Sequence, residues 1–184
     1  MTARGIGVLV SGSGSNLQAL IDAGLPVVAV ASNAAAVPAL DRAVRAGAPT
    51  AVFTLADYPD RDARDAAMGD WLLGHGVGLV VCAGYMHLLR PGFLSRFPGR
   101  VVNVHPALLP AFPGAHAVED ALAAGASETG ATVHLVDDGV DTGAVLRQEA
   151  VAVLPGDTPE VLHARIRAVE HRLLPEVVRE LTIA

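Results

Sequence analysis

The chain contains no lysine: all 13 of its basic residues are arginine. This absence excludes both a Schiff-base lysine and the lysine of a P-loop. Any bound anion must be held by arginine, by backbone N–H groups or by a helix N-terminus. Cysteine is nearly absent as well. Cys82 stands alone inside the apolar run Leu79–Ala83, which excludes an internal disulfide and a thiolate metal site and describes a buried thiol of low reactivity. Aromatic residues make up 4% of the chain against 52% for hydrophobic residues overall, so the core should be aliphatic, built from Val, Leu and Ala. Excess positive charge is missing too, since the net charge is −6; no electrostatic footprint for nucleic acid results. No apolar run is long enough to span a bilayer. Met1 leads through Arg4 to a short strand-like run, not to the apolar core of a signal peptide. The expectation is a cytoplasmic protein with neither nucleic acid nor a membrane as partner. At 184 residues, a single domain over 1–184 with a sizeable core is expected.

What is present is a regular alternation. Ile6–Val10, Pro26–Ala31, Pro49–Leu55 and Leu79–Ala83 read as short apolar strands. Leu17, Leu20 and Ile21 follow the first at helical spacing, and Ala34–Gly47 and Arg61–Gly74 read as further helices. Strands apolar on both faces and separated by helices are the mark of a parallel sheet covered on both sides. Ala117–Ala124 reads as a helix stopped by Gly125. The alternating Ala131–Val136 and the run Ala144–Val153 are joined by a short loop, which predicts an antiparallel pair. From Thr158 a long helix is expected, capped there and opened by Pro159, with the stripe Val161, Leu162, Ile166, Val169 and Leu173. Pro175 should kink or split it. The fold class expected is α/β: one doubly wound, mostly parallel, Rossmann-like sheet with helices on both faces and an antiparallel C-terminal extension.

Ligands in such sheets sit beyond the carboxyl ends of the strands, so Ser11–Asn16, Gly84–Leu89 and Asn103–Pro113 should meet there. Gly12 and Gly14 allow a close backbone approach, and Ser15 or Asn16 can cap the helix that follows. The N–H groups of such a turn favour phosphate. A dinucleotide is disfavoured, because Leu17 stands where a third glycine is wanted and no acid follows the second strand, which runs into Ser32 and Asn33. A tight turn without ligand is an equal reading of this motif alone. Gly84–Arg90 is apolar for a loop, either a cap on the core or a wall for a flat organic ligand, with His87 exposed or lining. Asn103 and His105, two apart on a strand, point to one face, and Pro106, Pro110 and Pro113 stiffen the loop behind them. Asn-x-His by itself is no more than a strand end. Asp137, Asp138 and Asp141 lack the calcium-loop pattern. His105, His116 and His134 lack zinc spacing, so His116 and His134 are read as satisfied or lining, and no metal is expected.

Taken together, these motifs resemble the folate-dependent phosphoribosylglycinamide formyltransferases of purine synthesis. The resemblance runs from about Gly7 to about Pro175 through Ser11-Gly-Ser-Gly-Ser-Asn-Leu17, Ser32-Asn33, Ala83-Gly-Tyr-Met-His-Leu-Leu89, Asn103-Val-His-Pro-Ala-Leu-Leu-Pro110, Gly130-Ala-Thr-Val-His-Leu-Val136, Asp141-Thr-Gly143 and Glu170-His171. The Asn-x-His-Pro segment marks the wider group that uses formyltetrahydrofolate, including methionyl-tRNA formyltransferases and formyltetrahydrofolate hydrolases. The glycine-rich start and Phe112-Pro-Gly114 favour the purine branch. The resemblance implies transfer of formyl from 10-formyltetrahydrofolate to the amine of glycinamide ribonucleotide.

By the same resemblance Asn103, His105 and Asp141 are the catalytic trio. Gly14, Ser15, Asn16, Arg167 and Glu170 bind the ribonucleotide. Arg61, Met86, His87, Leu88 and Leu89, with Asn103 and the loop Asp137, Asp138, Gly139, Val140 and Asp141, bind the reduced folate. Asp141 would favour the imidazolium form of His105. A cis Leu109–Pro110 bond is also implied. A monomer or weak homodimer acting on small molecules alone is the expectation for partners. Ala111 and Val118 stand where some members carry Lys and His, and Ala34-Ala-Ala36 lacks charges found there elsewhere. A hydrolase, in which water replaces the amine, and a non-catalytic nucleotide-binding module remain alternatives. A tRNA formyltransferase would need an added RNA-binding domain and a basic surface.

Overall fold

The computed structural model describes residues 5–183; the reading of Met1 to Arg4 lies outside them. Seven strands form one sheet: β1 (Gly5–Val10), β2 (Val27–Ser32), β3 (Thr50–Val52), β4 (Val77–Cys82), β5 (Val101–His105), β6 (Glu128–Leu135) and β7 (Val145–Ala152). Their spatial order is β3-β2-β1-β4-β5-β6-β7. The first five are parallel, whereas β6 and β7 are antiparallel to their neighbours. The helices are α1 (Ser15–Asp22), α2 (Pro38–Arg45), α3 (Arg61–Gly74), α4 (Pro91–Leu94), α5 (Ala117–Ala123) and α6 (Pro159–Ile183). The expected doubly wound sheet with an antiparallel extension is the fold observed. Among the described residues no helix is long and apolar enough to cross a membrane.

Alternation along the strands divides the core in two. Ile6, Val8 and Val10 of β1, with Leu79 and Val81 of β4, face Leu17 and Leu20 of α1, Ala39 and Ala43 of α2, Val118 of α5 and Leu162, Ile166 and Leu173 of α6. Leu9, Val80 and Cys82 point the other way, onto Met68 and Leu72 of α3 and Phe93 of α4. Both layers are aliphatic at the sheet, as the composition predicts, although the rings of Phe53, Tyr85, Phe93 and Phe97 gather in the second. Burial pushes the Cys82 thiol up to about 12, consistent with an inert side chain.

Several boundaries differ from the sequence reading. The helix expected over 34–47 spans only Pro38–Arg45, because Ser32 Oγ bonds the backbone of Ala34 and Val37, which precedes a proline, is extended. The strand expected over 49–55 is the short edge β3, followed by a 3₁₀ turn at Leu55–Asp57. The helical turn α4 carries too few residues to show periodicity. Pro175 neither kinks α6 apart nor ends it: the helix is continuous through it. Pro175 is buried among Leu173, Leu174, Val177 and Val178, so tertiary packing offsets the lost hydrogen bond. Val118 is hydrophobic for the same kind of reason, being part of the core.

The strand order reverses between β1 and β4. Chain from β1 crosses to β2 on one side, and chain from β4 crosses to β5 on the other, so the loops after β1 and β4 diverge and leave a crevice. One glycine beside it tolerates no side chain: a Cβ on Gly143 would overlap the Leu135 carbonyl oxygen. Gly143→Ala is therefore expected to cost about 1–3 kcal/mol, read as a lower urea midpoint with an unchanged m-value. An unshifted midpoint would show that this crossing is loose.

Candidate active site

The crevice is a cleft of about 610 Å³, inside the range of roughly 300–1,000 Å³ usual for small-molecule sites. The loops following β1, β4 and β5 all line it, as expected, and are joined by the loop after β6 and by α6.

At its centre the pairing of β5 with β6 sets the geometry. Asn103 lies opposite His134, and His105 opposite Thr132, which places both pairs on the face that opens into the cleft. Asp141 reaches them from the loop after β6. Its carboxylate lies 3.3 Å from His105 Nδ1 and 3.5 Å from His134 Nε2. It also accepts from Asn103 Nδ2 at 3.4 Å and from the Gly114 N–H at 2.8 Å. The hydrogen bond from His134, that from Gly114 and the proximity of both imidazoles hold the Asp141 carboxyl at about 2. Asp141 adopts a left-handed backbone, φ 53°, tolerable for a short polar side chain. Asp137 shapes the loop by accepting from Gly139 N–H and the Thr142 hydroxyl.

His134 is the member that sequence reading placed only as satisfied or lining. Its Nδ1 lies 2.8 Å from the Leu135 carbonyl, and its Nε2 3.2 Å from Asn103 Nδ2. The alternation of Thr132, His134 and Val136 was visible; the register that sets His134 against Asn103 was not. His105 carries a second feature that sequence does not show. Its Nε2 lies 2.7 Å from the carbonyl oxygen of Phe112. A carbonyl only accepts, so Nε2 bears a proton. With a carboxylate at Nδ1, the ring is flanked by two acceptors. Thr132 pins the intervening loop, donating to the Ala107 carbonyl and accepting from the Leu109 N–H. The Leu109–Pro110 bond is cis, as the resemblance implied.

The glycine-rich turn forms one end of the cleft. Gly14, φ 74°, is the N-cap of α1, so neither Ser15 nor Asn16 caps the helix as expected. The Asn16 side chain instead donates to buried Glu170 at 2.9 Å. Because a carboxylate accepts, Asn16 must turn its amide nitrogen to Glu170, and its buried Oδ1 is left without a partner. Burial raises the Glu170 carboxyl against the opposing effects of Asn16 and Arg167. Arg167 lines the same end.

The apolar loop after β4 forms a wall, with Met86 and Leu88 exposed and Tyr85 and Leu89 buried. Helix α3 pins it from behind. Fully buried Arg64 pairs with fully buried Asp65 and reaches His87 Nδ1 at 2.6 Å. A guanidinium only donates, so His87 accepts there and is neutral. Desolvation, then Arg64 and Arg61, lower its proton affinity. Asp65 also accepts from Arg90 N–H, and Ser11 Oγ from Met86 N–H. Two residues expected at the ligand are not among those lining the cleft: Arg61, whose guanidinium bonds the Leu88 carbonyl at 3.2 Å, and Asp138. His116 is exposed at the start of α5. Among the described residues no group of three His, Cys, Asp or Glu is disposed to hold a metal ion.

The sequence of residues 4–178 matches the family model described as formyl transferase. The chain belongs to the formyl transferase family. It is 51% identical over 179 residues to the phosphoribosylglycinamide formyltransferase of Mycobacterium tuberculosis, covering 95% of this chain and 83% of that protein. The fold superposes on glycinamide ribonucleotide transformylase 1 of Symbiobacterium toebii with a TM-score of 0.94 at 49% identity, covering 96% of this chain and 86% of the other. The corresponding protein of Geobacillus kaustophilus gives 0.95 at 41% identity, with 98% of this chain and 100% of the other covered. The sequence resemblance to this family of formyl-transferring enzymes is thereby confirmed.

The depressed Asp141 carboxyl makes a testable link to acid stability. A group whose pKa is lowered on folding adds stability above its unfolded value, near 4, and loses it as pH falls toward about 2. Asp141→Asn is expected to be less stable than the wild type by about 2 kcal/mol at neutral pH. Urea titrations at stepped pH should show this gap closing between about pH 4 and pH 2. A gap independent of pH would contradict the assignment.

Proposed function

We propose that the protein transfers the formyl group of 10-formyltetrahydrofolate to the amine of glycinamide ribonucleotide, a step in purine synthesis. The observation that carries this reading is the convergence of the Asn103 amide, the His105 ring and the Asp141 carboxylate in a cleft that also holds a phosphate-type cradle. The names of the relatives support the same substrate pair.

Attack of the amine on the formyl carbon breaks the carbonyl π bond and places negative charge on the formyl oxygen. Asn103 Nδ2 and protonated His105 donate to that oxygen, and donors fixed in advance at a developing charge are usually the largest contribution to such a reaction. In this mechanism His105 Nε2 exchanges the Phe112 carbonyl for the formyl oxygen, while Asp141 holds the ring from its other nitrogen. Collapse of the tetrahedral adduct breaks the bond to the folate nitrogen. That nitrogen receives a proton, and the former amine loses one, with His105 as the shuttle.

Gly14, Ser15 and Asn16 offer backbone N–H groups to the phosphate. Asn16 Oδ1 supplies an acceptor that the folded protein leaves open, Glu170 accepts from substrate hydroxyls, and Arg167 adds charge. Met86, His87, Leu88, Leu89 and the segment from Asp137 to Asp141 enclose the folate. Arg61 serves that pocket indirectly, by holding the Leu88 carbonyl. The reaction needs no metal and no covalent nucleophile. The reading is of a cytoplasmic enzyme working as a monomer or weak homodimer, without nucleic-acid partners.

Asn103→Ala should lower turnover roughly 10²–10³-fold, and His105→Ala roughly 10²–10⁴-fold. Losses below about fivefold in both would remove these residues from the chemistry. Incubating 10-formyltetrahydrofolate with and without glycinamide ribonucleotide tests the acceptor. Tetrahydrofolate released only with the amine is expected; release without it would make the protein a hydrolase.

A further inference from the structure

Helix α6 carries six nitrogen bases: His163, Arg165, Arg167, His171, Arg172 and Arg179. His171, whose Nε2 is buried, is not among the residues lining the cleft. Three are committed to the protein itself. Arg165 pairs with Asp157, Arg172 with Glu149, and Arg179 donates to the Ala23 carbonyl. Arg167 and His163 make no side-chain hydrogen bond or ion pair among the described residues, and both line the cleft. They are four residues apart, hence stacked on one face of the helix, with Glu170 continuing that face.

Glu170 is fastened to Asn16 at the start of α1, so this face of α6 runs directly beside the glycine-rich turn. Moving from Glu170 toward the N-terminal end of α6, Arg167 lies about 4.5 Å and His163 about 10.5 Å along the axis. Two unpartnered nitrogen bases thus follow one another along a wall that already presents N–H groups and an orphaned buried acceptor. The charged groups facing His163 are Arg167 on its own helix and Glu119 on α5. In the unliganded protein, desolvation and then Arg167 lower its proton affinity, with Glu119 opposing. An arriving anion reverses that balance.

We propose that His163 binds the phosphate monoester of the substrate jointly with Arg167, taking up a proton from solvent as it does so. A neutral imidazole would offer the phosphate one N–H donor without charge; the imidazolium offers a charge-assisted bond, about twice as strong. This deepens the functional reading above and rests on it for the identity of the phosphorylated ligand. The sign follows from linkage. A histidine that gains an anion has its pKa raised in the complex, so its contribution to affinity is full below the free-state value and fades as pH rises through the bound-state value.

The test compares wild type, His163→Gln and His163→Arg between pH 6 and pH 8. The KM for glycinamide ribonucleotide in His163→Gln should exceed that of the wild type roughly tenfold at pH 6, and the ratio should shrink toward pH 8. Taking the ratio cancels the phosphate's own titration, whose pKa is near 6. His163→Arg should keep a low KM throughout, and the KM for the folate should not move. Calorimetry with ribose 5-phosphate, in buffers of different ionisation enthalpy, should show greater net proton uptake by the wild type than by His163→Arg, the phosphate's own titration being common to both. A ratio near one at pH 6, a ratio independent of pH, or equal proton uptake by wild type and His163→Arg would each overturn the proposal. The calorimetry reads phosphate binding alone, so an inactive wild type that still took up more protons than His163→Arg would sink the formyl-transfer reading and leave the phosphate site standing.

Discussion

One carboxylate organises the centre of this molecule. Asp141 accepts from the Gly114 N–H and from Asn103, and it faces the rings of His105 and His134. An unpaired charge in that half-enclosed position would be costly, and the two imidazoles and two N–H donors offset the cost. Those four partners come from three local structures: Asn103 and His105 from β5, His134 from its antiparallel neighbour β6, and Gly114 from the proline-bounded loop. The carboxylate therefore joins elements that the sheet alone would leave merely adjacent. Its own left-handed backbone is held by the same loop that Asp137 closes.

The rest of the fold supplies rigidity from outside the site. The apolar wall after β4 has few backbone partners of its own, and it is fixed by polar groups of α3. Arg64, Asp65 and Arg61 each reach a different point of it. Arginine suits that work, because its planar fork makes several directed bonds at once. On the opposite side, Asn16 and Glu170 join α1 to α6 across the anion end. The cleft is thus bounded by one wall braced by ion pairs and another braced by a single buried amide–carboxylate bond.

Much of this was legible in the residues. Strand runs such as Leu79–Ala83 are short and apolar on both faces, and that pattern has few outcomes other than a covered parallel sheet. Asn103 and His105 declared a shared direction through their spacing. What the sequence could not show depended on pairing at a distance. His134 joined the site only through the β5–β6 register, and the contact of Phe112 with His105 only through the path of a loop. Arg61 and Asp138 went the other way. Their positions matched a motif, yet each side chain lies outside the cleft lining, because a motif records order along the chain and not where a long side chain finds its partner. Pro175 misled for a related reason: local propensity argues for a break, and the burial of its neighbours outweighs it.

The most direct measurement is a crystal structure with glycinamide ribonucleotide and a folate analogue bearing a non-transferable carbonyl in place of the formyl group. The account predicts that carbonyl oxygen within about 3.2 Å of both Asn103 Nδ2 and the His105 ring, with the Phe112 carbonyl moved away from His105 and the Asp141 carboxylate still against it. A carbonyl lying more than about 5 Å from both donors, with Phe112 still on His105, would contradict it.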